Sequence, residues 1–116
     1  METLTIYHNP RCSKSRSALA LLEERKVPLR VVEYLKEPPT RAELATLRRK
    51  LGLAPSEWIR KSESAYKDAG LDAKSPEDKL LDAMAKYPIL IERPIIVRGD
   101  RAVVGRPPEC ALELLK

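Results

Sequence analysis

The sequence predicts an α/β fold: a mixed four-stranded sheet flanked by helices, with a helical insertion at about residues 40–87. Three observations predict it. A short β-prone run at the start of the chain passes into a helical period, a second such run precedes a long helical stretch, and two β-rich runs close the chain around Gly99-Asp100. The 116 residues suit a single domain, residues 1–116. A chain of that length buries roughly two-thirds of the surface its unfolded form exposes, so its core needs no disulfide or metal.

Leu4-Thr5-Ile6-Tyr7 is the first strand, and His8-Asn9-Pro10 break it. From Ser15 the period changes, and Ala18, Leu19 and Leu22 follow at three, four and seven residues, on one helical face. Leu29 to Tyr34 is a second strand, stopped by Pro38-Pro39. Thr40 and Glu43 have capping-box spacing, Leu44, Leu47 and Leu51 continue at helical intervals, and Gly52 stands where a helix C-cap glycine belongs. Two short helices are expected from Pro55 to Lys61 and from Glu63 to Ala69, the second ended by Gly70. Ser75-Pro76-Glu77-Asp78 reads as a helix start with an N-cap serine, and Leu80, Leu81 and Met84 supply its buried face. Ile95-Ile96-Val97 and Ala102-Val103-Val104 form a hairpin across Gly99-Asp100. A last helix starts near Pro108. Strands joined by a helix run parallel with a right-handed crossover, whereas the closing hairpin is antiparallel. That order of elements matches the thioredoxin architecture.

Charge and composition exclude several classes. The chain has 22 basic and 17 acidic residues, net +5, which favours anionic partners only mildly. The one basic cluster, Arg48-Arg49-Lys50, fits a helix C-terminus. There is no phenylalanine, and the four tyrosines and single tryptophan are dispersed, so no base-stacking platform for nucleic acid is expected. No apolar run approaches the roughly 20 residues of a membrane span. Met1 to Thr5 lack the features of a signal peptide, so a cytoplasmic location and no membrane partner are expected. Two cysteines and one histidine, without Cys-x-x-Cys or His-x-x-x-His spacing, give no metal site.

Cys12 lies between the first strand and the first helix. Backbone N–H groups at a helix N-terminus point toward such a position, and the dipole there favours negative charge. The thiolate is the nucleophilic form of cysteine, and this setting lowers its pKa. His8, Arg11, Lys14 and Arg16 are close enough in sequence to add positive potential, and Ser13 and Ser15 offer hydroxyls. A cysteine that only packs would be flanked by apolar residues, as Cys110 is in Cys110-Ala111-Leu112; Cys12 is flanked by Arg11, Ser13 and Lys14. The fourth position of a Cys-x-x-Cys pair is Ser15, so Cys12 has no resolving cysteine nearby and must pass its oxidation to an outside thiol. A phosphatase-type loop needs arginine six residues after the cysteine, where this chain has Ala18.

His8-Asn9-Pro10-Arg11-Cys12-Ser13-Lys14-Ser15-Arg16 resembles the active-site segment of the glutaredoxin-coupled arsenate reductases. Four further segments resemble that family in the same order: Tyr34 to Pro39, Ile59-Arg60-Lys61 with Tyr66, Pro88 to Ile95, and Gly105-Arg106-Pro107-Pro108-Glu109. Together they span nearly the whole chain. The resemblance implies a thioredoxin-like fold in which Cys12 attacks arsenate and Arg60, Arg93 and Arg106 bind the oxyanion. It gives His8 a part in assisting Cys12 and puts Ser15 at the substrate. Guanidinium suits these roles because its planar fork of donors matches a tetrahedral oxyanion and stays charged at any working pH. The Arg93-Pro94 context also implies a cis bond before Pro94. No bound cofactor is implied; glutathione would be a co-substrate and glutaredoxin a protein partner of a monomer. Two other readings stay open: a glutathione-dependent thiol oxidoreductase with another substrate, and a redox-responsive regulator that binds RNA polymerase. The regulators usually carry Cys-x-x-Cys, which Ser15 replaces here.

Overall fold

A computed structural model describes residues 3–115. They fall into two compact units, one built from the two ends of the chain (up to Glu37 and from Arg93 onward), the other Pro38–Glu92.

The first unit holds the sheet. Its elements are β1 (Leu4–His8), α1 (Ser13–Glu24), β2 (Leu29–Glu33), β3 (Ile95–Arg98), β4 (Arg101–Val104) and a closing 3-10 segment, Pro108–Leu115. Strand order is β2-β1-β3-β4. β1 and β2 are parallel from Leu4↔Leu29 to His8↔Glu33; β1 and β3, and β3 and β4, are antiparallel. Along β1 the two-residue period sends Leu4, Ile6 and His8 to one buried face. There Leu4, Ile6 and Ile96 pack with Ala18 and Leu22 of α1 and with Ala111 and Leu114 of the 3-10 segment. Gly99 adopts a positive φ of 57° in the two-residue turn that closes the β3–β4 hairpin.

Three local expectations are corrected. His8 does not break the first strand but ends it, because the alternation of β1 carries its ring to the Leu4–Ile6 face. The second strand stops at Glu33, whose carbonyl accepts the N–H groups of Lys36 and Glu37 in a turn. The last helix is 3-10 in form, opened by Cys110 N–H donating to the Pro107 carbonyl three residues back.

The second unit spans the expected helical insertion. It contains α2 (Arg41–Leu51), a 3-10 turn at Pro55–Glu57, α3 (Ser64–Asp68), α4 (Glu77–Lys86) and a 3-10 turn at Pro88–Leu90. The capping box forms: Glu43 N–H donates to Thr40 Oγ1 at 3.1 Å, and Thr40 N–H donates to Glu43 Oε1 at 3.1 Å. Gly52 ends α2 at φ 67°, its N–H on the Arg48 carbonyl. α2 packs on α4, with Arg41 reaching Asp78 and Asp82, and Arg48 reaching Glu77. The basic cluster at the end of α2 therefore serves helix pairing through Arg48. The expected helix from Pro55 to Lys61 is shorter, because Ile59 instead bridges to Ile91 in extended form. Ser75 is not an N-cap; its Oγ accepts Asp72 N–H, and Pro76 stands at the cap of α4.

Replacing Thr40 by alanine removes one half of the box. The expected loss is about 1 kcal/mol of stability, read as a lower urea midpoint with an unchanged m-value.

Candidate active site

The segment between β1 and α1 is locked by its own backbone. Cys12 N–H donates to the Asn9 carbonyl at 3.0 Å, and Arg11 N–H donates to Asn9 Oδ1 at 3.0 Å. Arg16 Nη1 donates to the Pro10 carbonyl at 2.9 Å. Cys12 is thereby held at the N-cap of α1 in extended conformation (φ −95°, ψ 122°), partly exposed. The sulfur makes no hydrogen bond of capping geometry, but it faces the N–H groups of Lys14 and Ser15.

Opposing effects set the charge on that sulfur. Partial burial pushes the Cys12 thiol up. The Ser15 and Lys14 N–H groups, and the Arg93 guanidinium through its charge and a side-chain hydrogen bond, outweigh burial and hold the thiol below its ordinary value. Lys14 acts here through its backbone amide, not its ammonium. The expectation that His8, Arg11 and Arg16 would supply the positive potential is not met. Arg16 is turned to the Pro10 carbonyl, and Arg93, 81 residues along the chain from Cys12, takes that place.

His8 is 6% exposed. Burial, helped by the Arg16 charge, lowers its pKa against the opposite pull of Glu33 and Glu23, so the ring is neutral at pH 7. Its Nδ1 lies 2.6 Å from Ser15 Oγ, which also accepts Asn9 N–H at 3.1 Å. Ser15 is fully buried. Its hydroxyl thus ties His8 to the first turn of α1, while its amide faces the sulfur.

Arg93 and Arg106 share a construction. Each precedes a proline across a cis bond, Arg93-Pro94 as expected and Arg106-Pro107 unforeseen. Arg93 is half-buried and Arg106 exposed. Gly105 N–H donates to the Pro94 carbonyl at 2.8 Å, which brings the Arg106 segment alongside the Arg93 segment. Arg60 belongs to the second unit, where Arg60 N–H donates to the Leu90 carbonyl and Glu92 N–H to the Trp58 carbonyl. Its guanidinium lies near two carboxylates, Nε 3.2 Å from Glu63 and Nη1 3.8 Å from Glu92, neither aligned as a hydrogen bond. Among the described residues no cluster of His, Cys, Asp or Glu could hold a metal, and no helix is long and apolar enough to cross a membrane.

A model of the ArsC family matches residues 7–114. The chain belongs to the ArsC family. It is 49% identical over 111 residues to the arsenate reductase of Neisseria meningitidis serogroup A, covering 94% of this chain and 95% of the relative. It is 39% identical over 116 residues to the arsenate reductase of Escherichia coli K12, covering 99% of this chain and 82% of that protein. It is also 46% identical over 112 residues to the uncharacterized protein YfgD of the same strain, covering 95% of this chain and 94% of that one. The solved arsenate reductase of Vibrio cholerae superposes with a TM-score of 0.91 at 46% identity, over 97% of each chain. A mixed sheet with flanking helices and these ArsC neighbours make the fold thioredoxin-like.

Glu63, Glu92, Asn9 and Gly105 were not picked out by sequence reasoning. Asn9 carries a local signal, since Asn before Pro favours a turn built on its side chain. Glu63 carries a weak one, standing three residues after Arg60, whereas Glu92 carries none, because pairing of the Trp58–Arg60 and Leu90–Glu92 segments brings it to Arg60.

Two outcomes are expected. Arg93→Ala raises the Cys12 thiol pKa, read as a shift of the iodoacetamide alkylation profile of Cys12 to higher pH; an unmoved profile removes Arg93 from the charge balance. His8 is depressed below its ordinary 6.5, so the unfolded chain binds its proton first. The stability His8 contributes is then full above about pH 6.5 and falls as pH drops through the lower native value. His8→Gln should flatten the Tm-versus-pH curve between pH 7 and 5; equal slopes in both proteins contradict a neutral His8.

Proposed function

We propose that the chain reduces arsenate to arsenite, with Cys12 as nucleophile and glutathione and glutaredoxin as electron donors. The observation that carries the reading is the Cys12 sulfur at the α1 N-terminus, its thiolate favoured by two amides and the Arg93 guanidinium. An anionic sulfur and an anionic substrate repel, so the attack needs cations that hold the oxyanion without neutralising the nucleophile. Arginine meets that need, and Arg93, Arg106 and Arg60 are assigned the task. The names of the ArsC relatives support arsenate as the oxyanion.

In the proposed cycle Cys12 thiolate attacks arsenic, an S–As bond forms, the bond from arsenic to one hydroxyl breaks, and that hydroxyl takes a proton from solvent and leaves as water. Glutathione thiolate then attacks the Cys12 sulfur. The S–As electron pair stays with arsenic, which leaves as arsenite, and the two thiols are oxidised to a Cys12–glutathione disulfide. Glutaredoxin thiolate takes the glutathione by exchange and frees Cys12. The outside thiol is required because the fourth position from Cys12 is a serine already engaged with His8. Arg60, beside Glu63 and Glu92, would exchange those carboxylates for the more highly charged oxyanion.

A second reading is favoured by one observation. YfgD is more similar to this chain than is the arsenate reductase of the same Escherichia coli strain, so a different substrate for the same thiol chemistry deserves its own assay. The test is arsenate-dependent NADPH oxidation coupled through glutathione, glutathione reductase and glutaredoxin. Wild type should turn over, and Cys12→Ser should not. Turnover by the serine variant rules out the mechanism. Absence of arsenate turnover, with a Cys12–glutathione disulfide still reducible by glutaredoxin, transfers the reading to another substrate. Arg60→Ala should slow adduct formation in single-turnover experiments by about a hundredfold, the range for loss of one preorganised oxyanion donor.

A further inference from the structure

Beyond β4 the chain runs close to the segment that carries Arg93. Gly105 is buried, its N–H bonded to the Pro94 carbonyl at 2.8 Å, and the next residue is Arg106. A Cβ at position 105 would lie 2.9 Å from Pro94 Cγ, 2.9 Å from Ile96 Cδ1 and 3.5 Å from Ala18 Cβ. The first two distances are shorter than a side chain tolerates. The two obstacles differ in kind. Ile96 Cδ1 is the tip of a flexible side chain and can turn away by a rotamer change. Pro94 Cγ belongs to a ring closed onto its own backbone nitrogen, and beyond a change of ring pucker it moves only with the peptide that joins it to Arg93. A side chain at 105 therefore presses on the Arg93-Pro94 peptide or the Gly105-Arg106 peptide once the small relief of ring pucker is used up. In the first case the guanidinium shifts off the Cys12 sulfur it hydrogen-bonds; in the second the two arginines separate.

We propose that Gly105 is a positioning residue: its missing side chain lets the backbone before Arg106 seat against the Pro94 ring and so keeps Arg93 on Cys12. The inference rests on the reading of Cys12 as the nucleophile, but not on which oxyanion it attacks. A purely structural glycine would answer to packing alone, and relief at Ile96 would restore everything. A positioning glycine leaves a defect that relief at Ile96 does not cure, because the rigid contact is with Pro94.

The experiment compares wild type, Gly105→Ala, and Gly105→Ala combined with Ile96→Val, which deletes the flexible obstacle. Alkylation of Cys12 by iodoacetamide is followed against pH by peptide mass spectrometry, which reads Cys12 apart from Cys110. Tm and arsenate kinetics are measured in parallel. The expected result is a Cys12 alkylation profile displaced to higher pH in both variants, with Tm lowered in the single variant and partly recovered in the double. kcat/KM for arsenate should fall about tenfold to a hundredfold, the scale of an ångström-sized misplacement. A folded variant whose alkylation profile coincides with that of wild type overturns the proposal, and so does a double variant that recovers profile and Tm together. If the single variant does not fold, the double variant decides by the same profile. If wild type proves inactive on arsenate, the substrate reading falls while the alkylation comparison still decides the role of Gly105.

Discussion

The site depends on easing the ionisation of one sulfur where partial burial favours the neutral thiol. The penalty is met locally by two amides of the first turn of α1 and remotely by one guanidinium. Sheet topology explains why the remote group is Arg93. β1 and β3 are antiparallel neighbours, and their register pairs Tyr7 with Ile95. The end of β1 thus lies beside the start of β3. The residues just after His8 lead to Cys12, and those just before Ile95 are Arg93 and Pro94, so the pairing brings two distant segments together at one end of the central strands.

The histidine and the serine hold this arrangement without lending it charge. His8 is neutral, buried at the end of β1, and bonded to the Ser15 hydroxyl. Ser15 belongs at once to the helix that aims its amide at the sulfur and to the contact that anchors that helix to the strand. A cysteine at this position would replace the oxygen with a larger, weaker acceptor for the Asn9 N–H. The serine therefore has a structural reason of its own, separate from the absence of a resolving thiol.

The arginines are deployed differently from one another. Arg93 is engaged with the Cys12 sulfur, Arg106 is exposed on the segment that follows Gly105, and Arg60 sits between two carboxylates in the second unit. Carboxylates beside a partly buried guanidinium keep its charge balanced.

Much of this was legible in the sequence because it is local. The strand–Cys12–helix order, the Thr40–Glu43 capping box, the Gly52 C-cap and the Gly99-Asp100 hairpin are each set by residues a few positions apart, whose propensities and side-chain bonds act before any tertiary contact forms. Tertiary structure decided what depends on distance. It placed Arg93 rather than Arg11 or Arg16 on the sulfur, ended β1 at His8 by drawing its ring into the core, and moved Ser75 from a helix cap to a turn. It also brought Glu92 to Arg60 and left no room at Gly105. Periodicity tells which face a residue occupies, whereas the charge on Cys12 follows from which groups lie within bonding range of it, and that is settled only when strands far apart in sequence pair.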